Sequence, residues 1–328
     1  MMIESLALLV FVVTCAFIMG YAVNQGSTCA VTAAKELVHQ RTATLLTGFA
    51  VAVGTAGLIC LPLSWIFGSA VHLTGGTTIH WPLIAGSMLL GLGAVVNDAC
   101  LFGTLSRIGH GEVRFLALPA GLAIGFLLAG RQSLLMPGPP VQNPLAEPSA
   151  AGFAIVIGFA AMLAVAWYWL GKTQDSPGRN QWPLRWAMAM LGLCGALLFA
   201  VAPGWTYADA LERAVGISGN PMAIGFGPLI AAIAVLLGAL AASFRARVFV
   251  LQRPTWANVS RSLVGGTIMA FGGTLVPGGN DSLLLASLPA LALSGITAYV
   301  VMSVTVPLLL LLLQIVQRNA RKSGLKPS

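Results

Sequence analysis

The sequence predicts an all-α polytopic membrane protein, and three observations carry that prediction. Of 328 residues, 57% are hydrophobic and only 8% are charged, whereas an average soluble domain is about 25% charged. Apolar runs recur along the whole chain at lengths near the roughly 20 helical residues that cross ~30 Å of hydrocarbon. The few charges collect between those runs. Backbone groups in hydrocarbon must be satisfied internally, by helices or a closed barrel. Runs this long exclude barrel strands, which alternate over about ten residues.

The first run is Ser5–Val23. It has no basic start and no soluble sequence behind it, so it is expected to stay as a crossing rather than act as a cleaved signal. The polar, small-residue segment Asn24–Arg41 leads to the second run, Ala43–Phe67. The third, Trp81–Val96, breaks at Asn97-Asp98 and is predicted to resume as a short helix near Ala99–Ile108. Glu112 and Arg114 stand at the start of Phe115–Gly130. Ala151–Leu170, Leu184–Val201 and Pro221–Phe244 follow. Leu263–Val276 breaks at Pro277-Gly-Gly-Asn-Asp281 and is predicted to resume near Ser282–Leu288, before a last run to Val316.

Loop charge orients the chain. Arg245, Arg247, Arg253 and Arg261 fill one loop; Lys172, Arg179 and Arg185 against Asp175 fill another. Both read as cytoplasmic under the positive-inside bias, as does the tail with Arg318, Arg321, Lys322 and Lys326. The loop holding Asp209, Glu212 and Arg213, and the stretch Gly68–His80, read as extracytoplasmic. About nine crossings result, with short half-penetrating helices, the N-terminus outside and the C-terminus cytoplasmic. Residues 1–131 and 183–317 read as two inverted, pseudo-symmetric halves, joined by a linking helix at 150–171 and ending in a basic tail at 318–328. The repeated Asn-Asp after a Gly-rich apolar run supports this reading, with Gly216–Pro221 as a rough counterpart of Asn24–Arg41. Discontinuous helices in matching places of two halves point to a transport site at the midplane. The bland alternative is that Gly and Pro are simply common in membrane helices.

Three patches carry candidate chemistry: Gly20–Cys29, Gly93–Ser106 and Gly272–Ser282. Each places small and polar residues before a short helix, whose unpaired N–H groups and dipole suit an anion without a resident cation. Cys29 and Cys100 sit at such starts, as weak S–H donors with polarisable sulfur. Cys15, Cys60 and Cys194 lie in smooth apolar runs and read as packing. Gln25, Asn97 and Asn280, with Asn24, either donate to a substrate or hold the breaks. Asp98 and Asp281 are ionisable residues at membrane depth; they either coordinate a coupling proton or cation, or cap the short helices. His39, His72, His80 and His110 fall at predicted ends. No metal-ligand spacing, phosphate loop or cofactor signature occurs. The net charge of +8 lies largely in loops and the tail, so nucleic acid is not the expected partner and membrane lipid is.

The run Asn97-Asp-Ala-Cys100-Leu-Phe-Gly-Thr-Leu-Ser-Arg-Ile-Gly-His-Gly-Glu112 resembles the core motif of the YeeE/YedE sulfur-transport family. Gln25-Gly-Ser-Thr-Cys29 is similar to that family's first motif, and Val276-Pro-Gly-Gly-Asn280 to its last. The resemblance implies a bacterial-type inner-membrane transporter, not an enzyme, that takes up a small sulfur-containing anion, thiosulfate first among them. It implies that Cys29 and Cys100 mark the path. A third family cysteine is replaced here by Gly279, with Asp281 close behind. Aligned on Asn-Asp, the internal repeats instead pair Cys100 with Leu283. A selenium species or another small anion is the alternative substrate, and a separate TusA-like sulfurtransferase the implied protein partner. Two other classes compete: a membrane thiol enzyme or sulfur relay, which needs an accessible thiolate at Cys29 or Cys100, and a membrane scaffold, which leaves both helix breaks without a purpose.

Overall fold

The computed structural model describes residues 2–130, 139–173, 181–215, 226–276 and 278–322. It is 79% helical, with no strand among the described residues. Among the described residues, eight helices are long and apolar enough to cross a membrane, or nine when the bent pair Trp256–Leu275 and Asn280–Ser287 counts as one span. That agrees with the crossings expected from the apolar runs.

In order, the helices are α1 (Met2–Gln25), α2 (Ala30–Lys35, running on as a π-turn over Glu36–Gln40), α3 (Thr44–Phe67), α4 (Trp81–Asn97), α5 (Leu101–Gly109) and α6 (Ala117–Gly130). Then come α7 (Ala150–Thr173), α8 (Leu184–Val201), α9 (Tyr207–Ala214), α10 (Phe226–Ala246), α11 (Trp256–Leu275), α12 (Asn280–Ser282, running on as a π-turn over Leu283–Ser287) and α13 (Leu293–Lys322). Local chemistry sets several ends. Pro82 opens α4 in its first turn, where a missing N–H costs nothing. Asp98 closes α4 in the left-handed region, with φ 68°. Thr206 starts α9, its hydroxyl accepting from Asp209 N at 3.1 Å.

Helix α9 departs from the expectation. Its charges, Asp209, Glu212 and Arg213, read as a loop, yet the chain there forms an amphipathic helix packed against α6 and α10. The counterpart expected at Gly216–Pro221 lies outside the described residues. The second break also falls earlier than expected. Asn97 ends α4 and Asp98 caps it, whereas Asn280 and Asp281 open α12. The two Asn-Asp pairs are therefore not structurally equivalent. The extended residues that start the two short helices are Cys100 and Gly279.

The central contact is α4 against α11, flanked by α13 on α4 and α6 on α11. Around it, α1 packs on α8 and α10, and α3 packs on α8 and α7. Glycines two turns apart set the α4–α11 approach. A Cβ on Gly93 would lie 2.7 Å from the Gly265 carbonyl, and one on Gly272 would lie 2.6 Å from the Gly86 carbonyl. Helices in lipid gain from such close backbone approach because association rests on packing rather than on a hydrophobic drive. Gly265 also abuts Asn97 Cβ, so α11 braces the residue at which α4 stops. Gly93→Leu and Gly265→Leu should each destabilise the fold by about 1–3 kcal/mol, the usual range for overpacking. Thermal unfolding in detergent measures this, and an unchanged midpoint would show that the two helices are free to separate.

Candidate functional site

Helices α2 and α5 begin beside each other, and their first residues build the site. Cys29 is the extended residue before α2 and Cys100 the extended residue before α5. Their sulfurs lie 3.7 Å apart, a thiol hydrogen-bond contact and far from the ~2.05 Å of a disulfide. Both are free cysteines and are only 4% and 2% exposed. The Cys100 sulfur also accepts from Gly103 N and from Ala30 N, each at 3.4 Å. One sulfur thus caps its own helix and receives the first N–H of the neighbouring one. Gly103 makes the approach possible, since a Cβ there would lie 2.8 Å from Cys29 Cβ.

The next donor of α5, Leu101 N, is met by Asn280 Oδ1 at 3.3 Å. The Leu101 carbonyl in turn accepts from the Tyr207 hydroxyl at 3.3 Å. The start of α5 is therefore gripped by α12 and α9 as well as by α2. Asn97 splices the break on the other side, donating to Ala99 O at 2.8 Å and to Thr104 Oγ1 at 3.1 Å. Of the residues singled out in the sequence, the fold gathers Cys29, Cys100, Asn97, Asn280 and Gly279 around this one turn.

Gln25 is not among them. Its Oε1 accepts from Trp182 N at 2.8 Å and its amide reaches Ala242 O at 3.5 Å, tying α1 to the approach to α8 and to α10. Asn24 does similar work, donating to Ser106 O at 3.3 Å and to Ser243 Oγ at 3.1 Å. Asp98 caps no short helix. It pairs with Lys35, with Arg114 at 3.4 Å and with Arg107 at 3.9 Å, while Arg107 and Arg114 also pair with Glu112 at 3.0 and 3.5 Å. Three cations and two carboxylates thus flank the α4–α5 break. Asp281 differs again: it is 2% exposed, and its Oδ1 accepts from Ser282 N at 3.0 Å. Cys15 and Cys194 are neighbours across the α1–α8 contact, and Cys60 is buried in α3.

Thr206 and Tyr207 escaped the sequence reading. The signal was there in Thr206-Tyr-Ala-Asp209, a capping pattern with an acid three residues on, but nothing local says that its tyrosine reaches another short helix. A small cavity of about 10 Å³, lined by Leu101, Asp209, Glu212, Gly273, Gly278 and Gly279, lies beside this region. It has room for about one water.

Broken and half-length helices whose capped starts meet inside a multi-pass helical membrane protein define a transporter-type architecture. Residues 25–308 match the family described as sulphur transport, and the chain belongs to that family. Its substrate is accordingly a sulfur-containing one. No curated protein gives a match.

Gly279 shows how tightly the meeting point is filled. A Cβ there would lie 2.6 Å from both Asp281 Oδ1 and Leu101 Cδ1. Gly279→Ala should therefore destabilise by about 1–3 kcal/mol, and part of that loss should return in Gly279→Ala with Asp281→Gly. A double-mutant cycle on thermal unfolding measures the coupling; strictly additive effects would show that the Asp281 carboxyl does not hold that space.

Proposed function

We propose that the chain passes a small sulfur-containing anion, thiosulfate first, through the constriction formed by Cys29 and Cys100. The observation that carries this reading is the Cys100 sulfur, which contacts the Cys29 sulfur while occupying the Ala30 and Gly103 N–H donors. Those donors are held by a soft, weak acceptor. An arriving anion with a terminal sulfur replaces like with like: it takes over the N–H groups at the starts of α2 and α5, where the helix dipoles favour negative charge, and it accepts from the displaced S–H groups. A hard, strongly hydrated anion such as sulfate gains less from thiols and loses more water. Neutral thiols serve passage, since a thiolate would repel the anion. Burial of both sulfurs favours this role over a thiol enzyme, which needs an accessible thiolate.

The cations around Asp98 and Glu112 support the same reading. Arg107 lies on α5, whose cap is Cys100, so the three-to-two excess of positive charge sits two turns from the thiols. It raises the local concentration of anions without placing a fixed cation on the path.

The packing also supports two related halves. Exchanging α1 with α8, α3 with α10, α4 with α11 and α6 with α13 turns the main contacts between the halves into one another: α1–α10 into α8–α3, and α11–α6 into α4–α13. The same exchange pairs α2 with α9 and α5 with α12, hence Cys29 with Thr206 and Cys100 with Gly279. On this reading one half supplies both thiols, and the other supplies Thr206, Tyr207 and Asn280 as their supports. The family supports a bacterial-type inner membrane as the location, and the loop arginines support a cytoplasmic C-terminus. A separate TusA-like sulfurtransferase is the proposed acceptor of the cargo on that side.

Uptake of radiolabelled thiosulfate into proteoliposomes tests the proposal, with sulfate as competitor. Saturable uptake that sulfate does not block is expected. Cys100→Ser keeps an oxygen that caps α5 but removes the polarisable sulfur, so it should fold normally and lose at least about tenfold in flux, a change of roughly 1.4 kcal/mol in the barrier. Cys194→Ala should transport as the parent does. Full flux in a well-folded Cys100→Ser variant would remove the thiol from the mechanism.

A further inference from the structure

Helix α7 is the span that packs least against the rest of the protein, with 17% of its apolar window buried. Where it meets α3 and the start of α8, a groove of about 730 Å³ opens on the outer surface. Its floor is apolar, formed by Leu58, Leu163 and Ala164, and two cations, Lys172 and Arg185, stand at one end. From Ala160 to Lys172 the groove follows α7 for roughly 18 Å of helix, a length suited to an acyl chain.

At the charged end each cation lies over an aromatic ring. Lys172 Nζ lies 4.5 Å from the Tyr168 ring centroid, and the Arg185 guanidinium lies 5.5 Å from that of Trp167. Such contacts hold a cation in place while leaving its N–H groups free. Gly171 lets Arg185 lie against α7, because a Cβ there would come within 2.8 Å of Arg185 Nη1. Among the described residues, no carboxylate lines the groove. Both cations sit at the ends of their helices, at the level where headgroups lie and where aromatic side chains settle in membrane proteins.

We propose that this groove binds one anionic phospholipid, its phosphate held between Lys172 and Arg185 and an acyl chain laid along Leu58, Leu163 and Ala164. An apolar channel ending in paired cations matches the two parts of that molecule. Arginine suits the phosphate because its planar fork pairs with two oxygens at once. Basic groups near the surface favour anionic over zwitterionic lipid. A second copy of the chain fits less well: a two-fold contact through this face would set Lys172 and Arg185 against their own counterparts.

Native mass spectrometry of the full chain in detergent tests this, titrating phosphatidylglycerol against phosphatidylcholine of the same acyl chains. The parent protein should retain one phosphatidylglycerol at roughly tenfold lower concentration than phosphatidylcholine. Lys172→Gln with Arg185→Gln should bring the two lipids to parity. Ala164→Trp, which fills the floor and leaves the charges intact, should weaken retention of both. Equal retention of the two lipids by the parent, or an undiminished preference in the double variant, overturns the proposal. A protein dimer that Ala164→Trp dissociates would give this face to a second copy and overturn it as well.

Discussion

A helix that stops inside hydrocarbon leaves backbone N–H groups that water does not reach. Each buried donor left unmet costs about 1–3 kcal/mol, so a break at membrane depth persists only where other groups meet its donors. Cys100, Asn280 and Thr206 do this work here. The Cys100 sulfur serves two helices at once, and that shared acceptor holds α2 and α5 together. The arrangement also explains why a weak acceptor sits at such a costly place. On the proposed reading, a strong one would satisfy the donors for good, whereas a thiol would yield them to an anion that binds more firmly. The transport role proposed for the cysteine pair is consistent with this accounting of backbone donors.

Close backbone packing puts those breaks where they are. Gly86 and Gly93 interlock with Gly265 and Gly272, and the resulting approach of α4 and α11 presses Gly265 against Asn97. Asn97 then ends α4, and three residues later Cys100 starts α5. Gly279 plays the corresponding part before α12. There the missing side chain leaves room for Leu101 from the other short helix and for the carboxyl of Asp281. The small residues along these helices are therefore not padding in an apolar sequence. They set the distances at which the two sets of half-length helices meet.

Charge is kept apart from the thiols. Lys35, Arg107 and Arg114 are engaged by Asp98 and Glu112, a network that neutralises the carboxylates and leaves one positive charge over. Asp281 lies beside Gly279, and Asp209 lines the same small cavity as Gly279 and Leu101. The cations thus gather at the α4–α5 break, and the buried acids gather by Gly279 and Leu101. On the outer surface, Lys172 and Arg185 face the membrane and belong to no part of this arrangement.

The sequence alone determined the class, the crossings and the family, because hydrocarbon tolerates few charges and few backbone solutions, and both constraints are written in residue type and run length. It also marked Cys29, Cys100, Asn97 and Asn280, since polar residues inside apolar runs stand out without any structure. The tertiary structure decided what each of them touches. It separated Gln25 and Asp98 from the thiols, because their partners, Trp182 and Lys35, come from elements distant in sequence. It showed that Cys100 and Gly279, and not the two Asn-Asp pairs, are the extended residues before short helices, because helix starts are set by backbone conformation rather than by dipeptide identity. It made a helix of Tyr207–Ala214, whose charges read as loop until α6 and α10 supply a surface for its apolar face. A local pattern shows what a residue prefers, and only the folded chain brings two helix starts to a single sulfur.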